Sequence, residues 1–260
     1  MSDHYLSQRQ ILINGIVAFE PIIMGLHKSY KNKEFSDWPT IVLGTTLQTS
    51  AISLSKLLPF NKPGQEPLDQ RSIASIIRNI IDTHDALDML INVTSPEEFN
   101  LHQDILKLYL SSQIKKVQSK IKPEDAQEFH GRAASHYWRR IKSSNLYKKS
   151  MDRIKSGESI FYTTRDQRVR KASGAQADVV MGVIADLSTY VHSIPPALWM
   201  GGINELYADN TRHRGIVWVW LRVANFYLAR CFVLILKVFP QGQSSELTDF
   251  IAYHKNVFAD

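Results

Sequence analysis

An all-α protein is what this sequence predicts, a multi-helix bundle of about eight to ten helices with a central apolar C-terminal helix. Three observations carry that expectation. Apolar residues recur at helical spacing through most of the chain. Helix-start signals stand in front of several of these stretches. No stretch shows strand-length alternation supported by turn pairs, and no internal repeat is present.

Taken in order, residues 3–27 place Leu6, Leu12, Ile13, Ile16, Val17 and Ile23 at helical spacing, and Pro21 is expected to kink the segment. Residues 40–58 read as a second helix, apolar and rich in Thr and Ser, and residues 59–70 hold three prolines and a glycine, the composition of a linker. Asp69 suits the N-cap of a helix over about 71–91, striped by Ile73, Ile76, Ile77, Ile80, Leu87 and Ile91. Ser95-Pro96-Glu97-Glu98 combines a capping hydroxyl, a first-turn proline and first-turn acids, opening a helix toward Lys122.

Pro123-Glu124-Asp125 signals a further helix ending near Lys142, with a shorter one to Lys155. The stretch from Gly157 to Lys171 lacks periodicity and reads as an exposed loop. Ala172–Ser193 returns to a helix with a narrow stripe of Ala177, Val180, Ile184, Leu187 and Val191, ended by Pro195-Pro196. Ile216–Phe239 is very apolar, but Arg222, Asn225, Ala229, Arg230 and Lys237 fall in one sector of a helical wheel, the pattern of a central bundle helix rather than a membrane span. The expected organisation is a helical pair over 1–58 packed on the main bundle, a linker over 59–70, and that bundle over 71–260.

The 260 residues include 44% hydrophobic side chains, which excludes a disordered chain and suffices for a core. A single cysteine, Cys231, cannot form an intramolecular disulfide, and no secretory signal opens the chain, so a cytoplasmic location is expected. The net charge of +6 is unevenly spread: Lys115 to Lys171 holds 16 Lys and Arg against 6 Asp and Glu. Such a segment suits a polyanion, with RNA ahead of DNA, or it is a solvated face balanced by acids elsewhere in the fold.

Three stretches hold side chains able to do chemistry. On the helix from Arg71, Arg78 and Asp82 sit at i, i+4 on the polar face, while His84 falls within the apolar stripe. His84 is thus either a hydrogen-bonded core histidine or an imidazole facing a cleft. Phe129 to Arg140 interleaves His130, Arg132, His136, Tyr137, Trp138, Arg139 and Arg140, which suits phosphate contact with base stacking and equally an amphipathic surface helix. Arg165, Arg168 and Arg170 add positive charge in the expected loop. Ser188 and His192 lie one turn apart, close enough for a nucleophile and base, or for helix capping. Glu20 beside Pro21 suits a buried partner for an arginine. No metal site, no cofactor motif and no Gly-rich phosphate loop is read.

The arginine-led helix from Arg71-Ser72-Ile73, the basic stretch around Trp138 and Leu187-Ser188-x-x-Val191-His192 together resemble a family of bacterial helical proteins of unknown function, over roughly residues 65–200. A more distant similarity is to the HEPN superfamily of helical bundles, many of them ribonucleases of toxin–antitoxin and antiphage systems. Their hallmark is an arginine followed shortly by a histidine, which Arg78-x5-His84 matches, with Asn79 as the polar residue after the arginine. This resemblance implies that Arg78 stabilises a phosphate and His84 serves as acid or base without metal. Arg78 and His84 project about 120° apart on a regular helix, so a shared site needs a distorted helix or a dimer interface.

The expected function is a nucleic-acid-associated helical protein, in its sharper form a metal-independent ribonuclease using Arg78, His84 and His192. The alternative is a non-catalytic interaction or oligomerisation module, with a protein partner or a second copy on an apolar surface. Peripheral membrane association through the basic segment is a third class.

Overall fold

The structure is a computed structural model and describes residues 2–32, 38–120, 131–144, 154, 160–161, 163–192, 207–241 and 243–255. Among them the chain is all α, a multi-helix bundle protein with nine α-helices and one short 3-10 turn. We label them α1 (Ser2–Lys31), α2 (Trp38–Leu57), α3 (Gln70–Ile91), α4 (Pro96–Gln118), α5 (Gly131–Ser143), α6 (Arg165–Ser173), α7 (Ala177–His192), α8 (Thr211–Val238) and α9 (Ser245–Tyr253).

Two compact units share the chain. The first comprises residues 1–87 and 168–260, and the second residues 88–167. Residues 59–70, read from the sequence as a linker, therefore lie inside the first unit rather than between units.

In the first unit α8 is the central helix. It packs on α1, α2, α7 and α9, and α1 also packs on α2 and α9. Trp220, Phe226, Tyr227 and Phe232 of α8 are almost completely buried, and Phe19 of α1 stacks on Phe232 with ring centroids 4.0 Å apart. Burial of each such side chain stabilises the fold by about 1.5–3 kcal/mol. The polar sector expected on α8 is only partly at the surface. Arg230 and Lys237 are exposed, whereas Asn225 is fully buried and its amide donates to the backbone and side-chain oxygens of Gln8, each at 3.1 Å.

Among the described residues, two helical stretches, His4–Lys31 and Thr211–Val238, are long and apolar enough to cross a membrane by length and composition. They differ in burial: in the most apolar 18-residue window of each, 72% of the α8 residues are buried inside the protein, against 33% in α1. α1 runs continuously through Pro21. Glu20, expected as a buried partner of an arginine, is instead exposed.

The residues around 59–70 are tied down by the N-terminal end of α8. Arg214, among the most buried large side chains, donates from Nε and Nη2 to the two carboxylate oxygens of Asp209 at 2.6 and 2.7 Å. Nη2 also donates to the carbonyl of Asn61 at 2.6 Å, and the guanidinium lies over the ring of Tyr5. Tyr5 donates to the carbonyl of Pro59, and Leu68 N–H donates to the carbonyl of Tyr207. Burial pushes the Tyr5 hydroxyl far above its usual pKa.

The second unit is built on α4 packed against α5. Leu101, Ile105 and Leu108 of α4 meet Ile141 of α5 and Ile154, with Tyr137 and Trp138 packed against them. The expected cap at Ser95 is present: its hydroxyl accepts from Glu98 N–H at 3.2 Å, while the Glu98 carboxylate accepts from Thr94 N–H and its hydroxyl. Asp69 caps α3 in the same way, through Ser72 N–H at 3.0 Å. The helix start expected at Pro123, the break at Pro195 and, apart from Ile154, most of the short helix expected toward Lys155 lie outside the described residues.

The expected loop over 157–171 needs correction, because Arg165–Ser173 is helical. Thr164 and Gln167 form a reciprocal cap: Gln167 N–H donates to the Thr164 hydroxyl, and Thr164 N–H donates to the Gln167 side chain. Val169 and Ala172 then bury one face of α6. Gly174, at φ +56°, takes the left-handed conformation that separates α6 from α7, so the helix expected from Ala172 is two helices.

Candidate functional site

Most of the sequence-predicted site residues fall into three groups. The first is where α3 meets α7. Arg78, half-buried, donates from Nη1 to the Ser188 hydroxyl at 3.0 Å, joining the arginine-led helix to the Leu-Ser-x-x-Val-His segment across 110 positions of sequence. Ser188 donates its own proton to the carbonyl of Ile184 at 2.7 Å. Its hydroxyl is thus held as an acceptor toward Arg78, which is opposed to a role as a nucleophile activated by His192. The side chain of His192 lies outside the described residues.

The second group is the interior face of α3. His84 is 4% exposed; its Nδ1 lies 3.3 Å from the Asp85 carboxylate, and its ring meets Tyr227 edge-on. The other oxygen of Asp85 accepts from Arg168 Nε at 2.6 Å. Arg168, expected on an exposed loop for nucleic acid, is thereby folded onto a buried carboxylate, its side chain only 13% exposed. A buried Asp85 is stabilised by this cation, and the same contact removes Arg168 from a binding surface. Arg78 and His84 engage different partners, on α7 and α8 respectively.

The third group is the outer face of α5 in the second unit. Arg132, His136, Arg139, Arg140 and Lys142 are all exposed, while Tyr137, Trp138 and Ile141 turn inward. Amphipathic periodicity explains the division: the aromatic and aliphatic side chains anchor the helix to α4, and the cations come to the surface. The Arg140 Nε lies 2.8 Å from the buried carboxylate of Asp104, so part of its charge is neutralised. Lys142 lies over the Trp138 ring at 5.7 Å. Arg132, His136 and Arg139 follow i, i+4, i+7 spacing and form a ridge about two helical turns long.

Arg165 is half-buried, and Arg170 is exposed with its Nη2 2.9 Å from the Asp178 carboxylate, an exposed pair of small energetic weight. Among the described residues, no three His, Cys, Asp or Glu side chains cluster to hold a metal ion. His130 lies outside the described residues.

Sequence reasoning missed the Arg214–Asp209 pair and the Asp85–Arg168 pair. Arg214 and Asp209 are five residues apart and carried a local signal, Asp-Asn at a helix start followed by arginine in the first turn. Asp85 and Arg168 are separated by 83 positions and carried none. Compared with protein-family models, curated proteins and solved structures, the chain matches none.

Proposed function

We propose that this protein is a helical nucleic-acid-associated protein that contacts RNA through the outer face of α5. The observation that supports this reading is the exposed ridge of Arg132, His136 and Arg139 on a helix whose aromatic face is anchored to α4. Guanidinium groups in water, spaced along a rigid helix, can meet successive phosphates; each neutralised phosphate releases counterions, so affinity falls with salt. In the first unit, the buried Arg214 and the largely enclosed Arg168 already hold carboxylates and offer no such surface.

Fluorescence anisotropy with single-stranded RNA tests this reading. Affinity should fall steeply between low and physiological salt. Arg132→Ala with Arg139→Ala should weaken binding about tenfold or more and flatten the salt slope by about two phosphate contacts. Unchanged affinity in the double variant would overturn the assignment of α5.

A ribonuclease reading rests on one further observation, the contact between Arg78 and Ser188 that joins the two motifs. It assigns Arg78 to the scissile phosphate and His84 to proton transfer, and the burial of His84 requires α3 to open before substrate reaches the imidazole. Cleavage of total RNA in EDTA, lost in both Arg78→Ala and His84→Ala, is the outcome this reading requires. Intact RNA leaves α5 as a binding surface alone.

A further inference from the structure

Each unit carries an apolar surface outside its core, and the two are complementary in charge. In the first unit, α1 and α9 enclose a groove of about 740 Å³. Its apolar lining includes Ile11, Val17, Ala18 and Phe250, and Val17 is 61% exposed. Two carboxylates, Glu246 and Asp249, line it from α9 and are exposed, and Glu20 is exposed on α1 beside the lining residue Pro21. The groove is apolar with acids around it.

In the second unit, α4 has two apolar faces. Leu101, Ile105 and Leu108 lie in the core, while Leu110, Ile114 and Val117 are exposed, Val117 at 60%. These last three follow i, i+4, i+7 spacing on the side of the helix roughly opposite the core face. Lys107, Lys115, Lys116 and Lys120 accompany them, and no Asp or Glu occurs between Asp104 and Lys120. This half-helix is apolar with cations around it.

We propose that the α1/α9 groove receives the Leu110–Ile114–Val117 face of α4 from a second copy of this chain, so that copies associate head to tail. Dimensions agree: the three α4 residues span about 10 Å along the helix, and the groove runs past α1 from Ile11 to Pro21, about 15 Å. An i, i+4, i+7 apolar stripe laid into a groove between helices is a recurrent recognition mode. Carboxylates around the groove attract the lysines of α4 and repel an anionic membrane surface, which favours a protein segment as the occupant. The two surfaces differ, so each such contact uses the groove of one copy and the α4 face of the other.

That asymmetry supplies the test. Val17→Asp removes the groove and Val117→Asp removes the inserted face; both positions are largely exposed, so circular dichroism and the unfolding midpoint should match the parent. Sedimentation velocity on the full chain should show a mass that rises with protein concentration and falls with salt. Each variant alone should remain monomeric. Mixing the two should restore a one-to-one dimer, because each supplies the surface the other lacks. A parent that stays monomeric across the concentration range, a single variant that still associates, or a mixture that stays monomeric would each overturn the proposal. RNA affinity of Val17→Asp, whose α5 is untouched, reads the proposed RNA contact separately.

Discussion

Arg214 in the first unit and Arg139 in the second carry the same guanidinium in opposite surroundings. Arg214 is 1% exposed, forked onto Asp209 and bonded to the backbone of Asn61, under the ring of Tyr5. Arg139 stands in water on the outer face of α5. The first unit uses its enclosed arginines to join distant stretches of chain, as Arg168 does with Asp85. The second keeps Arg132 and Arg139 exposed on α5. Charge counted along the sequence adds these groups together; burial separates a structural cation from one available to a ligand.

Breaking the buried side of this contrast should have the largest effect. Arg214→Ala leaves the Asp209 carboxylate buried without its cation and the Asn61 carbonyl without its donor, at a cost of about 3–5 kcal/mol. Urea unfolding should show a large drop in midpoint. Arg214→Lys should recover only part of it, because an ammonium cannot reproduce the planar fork.

A smaller effect separates core from surface by pH. His254 is buried, and its Nε2 has no hydrogen-bond partner. Burial first, and the positive charge of Arg222 second, lower its pKa from 6.5 to about 4. The folded protein therefore keeps this ring neutral while the unfolded chain takes up a proton below about pH 6.5. The contribution of His254 is complete above that pH and is lost progressively as pH falls toward 4, by on the order of 2 kcal/mol. Urea unfolding at pH 7.5 and 4.5 should show His254→Leu with a shallower fall between the two than the parent.

The smallest effect on stability belongs to the exposed side. Arg132→Ala with Arg139→Ala should shift the unfolding free energy by no more than about 0.5 kcal/mol, while RNA affinity falls. A large loss of stability in that double variant would erase the distinction between the two sets of arginines.

Local chemistry explains which features were legible before any coordinates. Ser95 and Asp69 cap helices through bonds to the third residue onward, so the signal sits in a few adjacent positions. The isoleucine stripe of α3 likewise reads directly, with Ile73, Ile77 and Ile80 fully buried. Thr164-x-x-Gln167 carried the same kind of signal for α6, but it stands before an arginine-rich stretch with few apolar residues to mark a periodic face. Gly174 breaks the helix through a positive φ that a hydrophobic pattern cannot express.

The candidate site was less legible, for a physical reason. A residue's position on a helical wheel gives its direction relative to its own helix, not which helix lies in that direction. Arg78 on the polar face met Ser188, 110 positions away, and Arg168 met Asp85 in the interior. Glu20, expected to be buried by its apolar neighbours, reached solvent instead.

By itself the sequence determined the helical class, the caps of α3 and α4, the apolar nature of α8 and the concentration of positive charge between Lys115 and Lys171, because each depends on propensity, spacing or composition along the chain. Only the tertiary structure decided which cations pair with the buried carboxylates of Asp85 and Asp209, that Arg78 and Ser188 meet, and which faces of α1, α4 and α5 are exposed. Those outcomes depend on packing between elements distant in sequence, where the interior encloses an ion pair and the surface leaves the same kind of group accessible to a ligand.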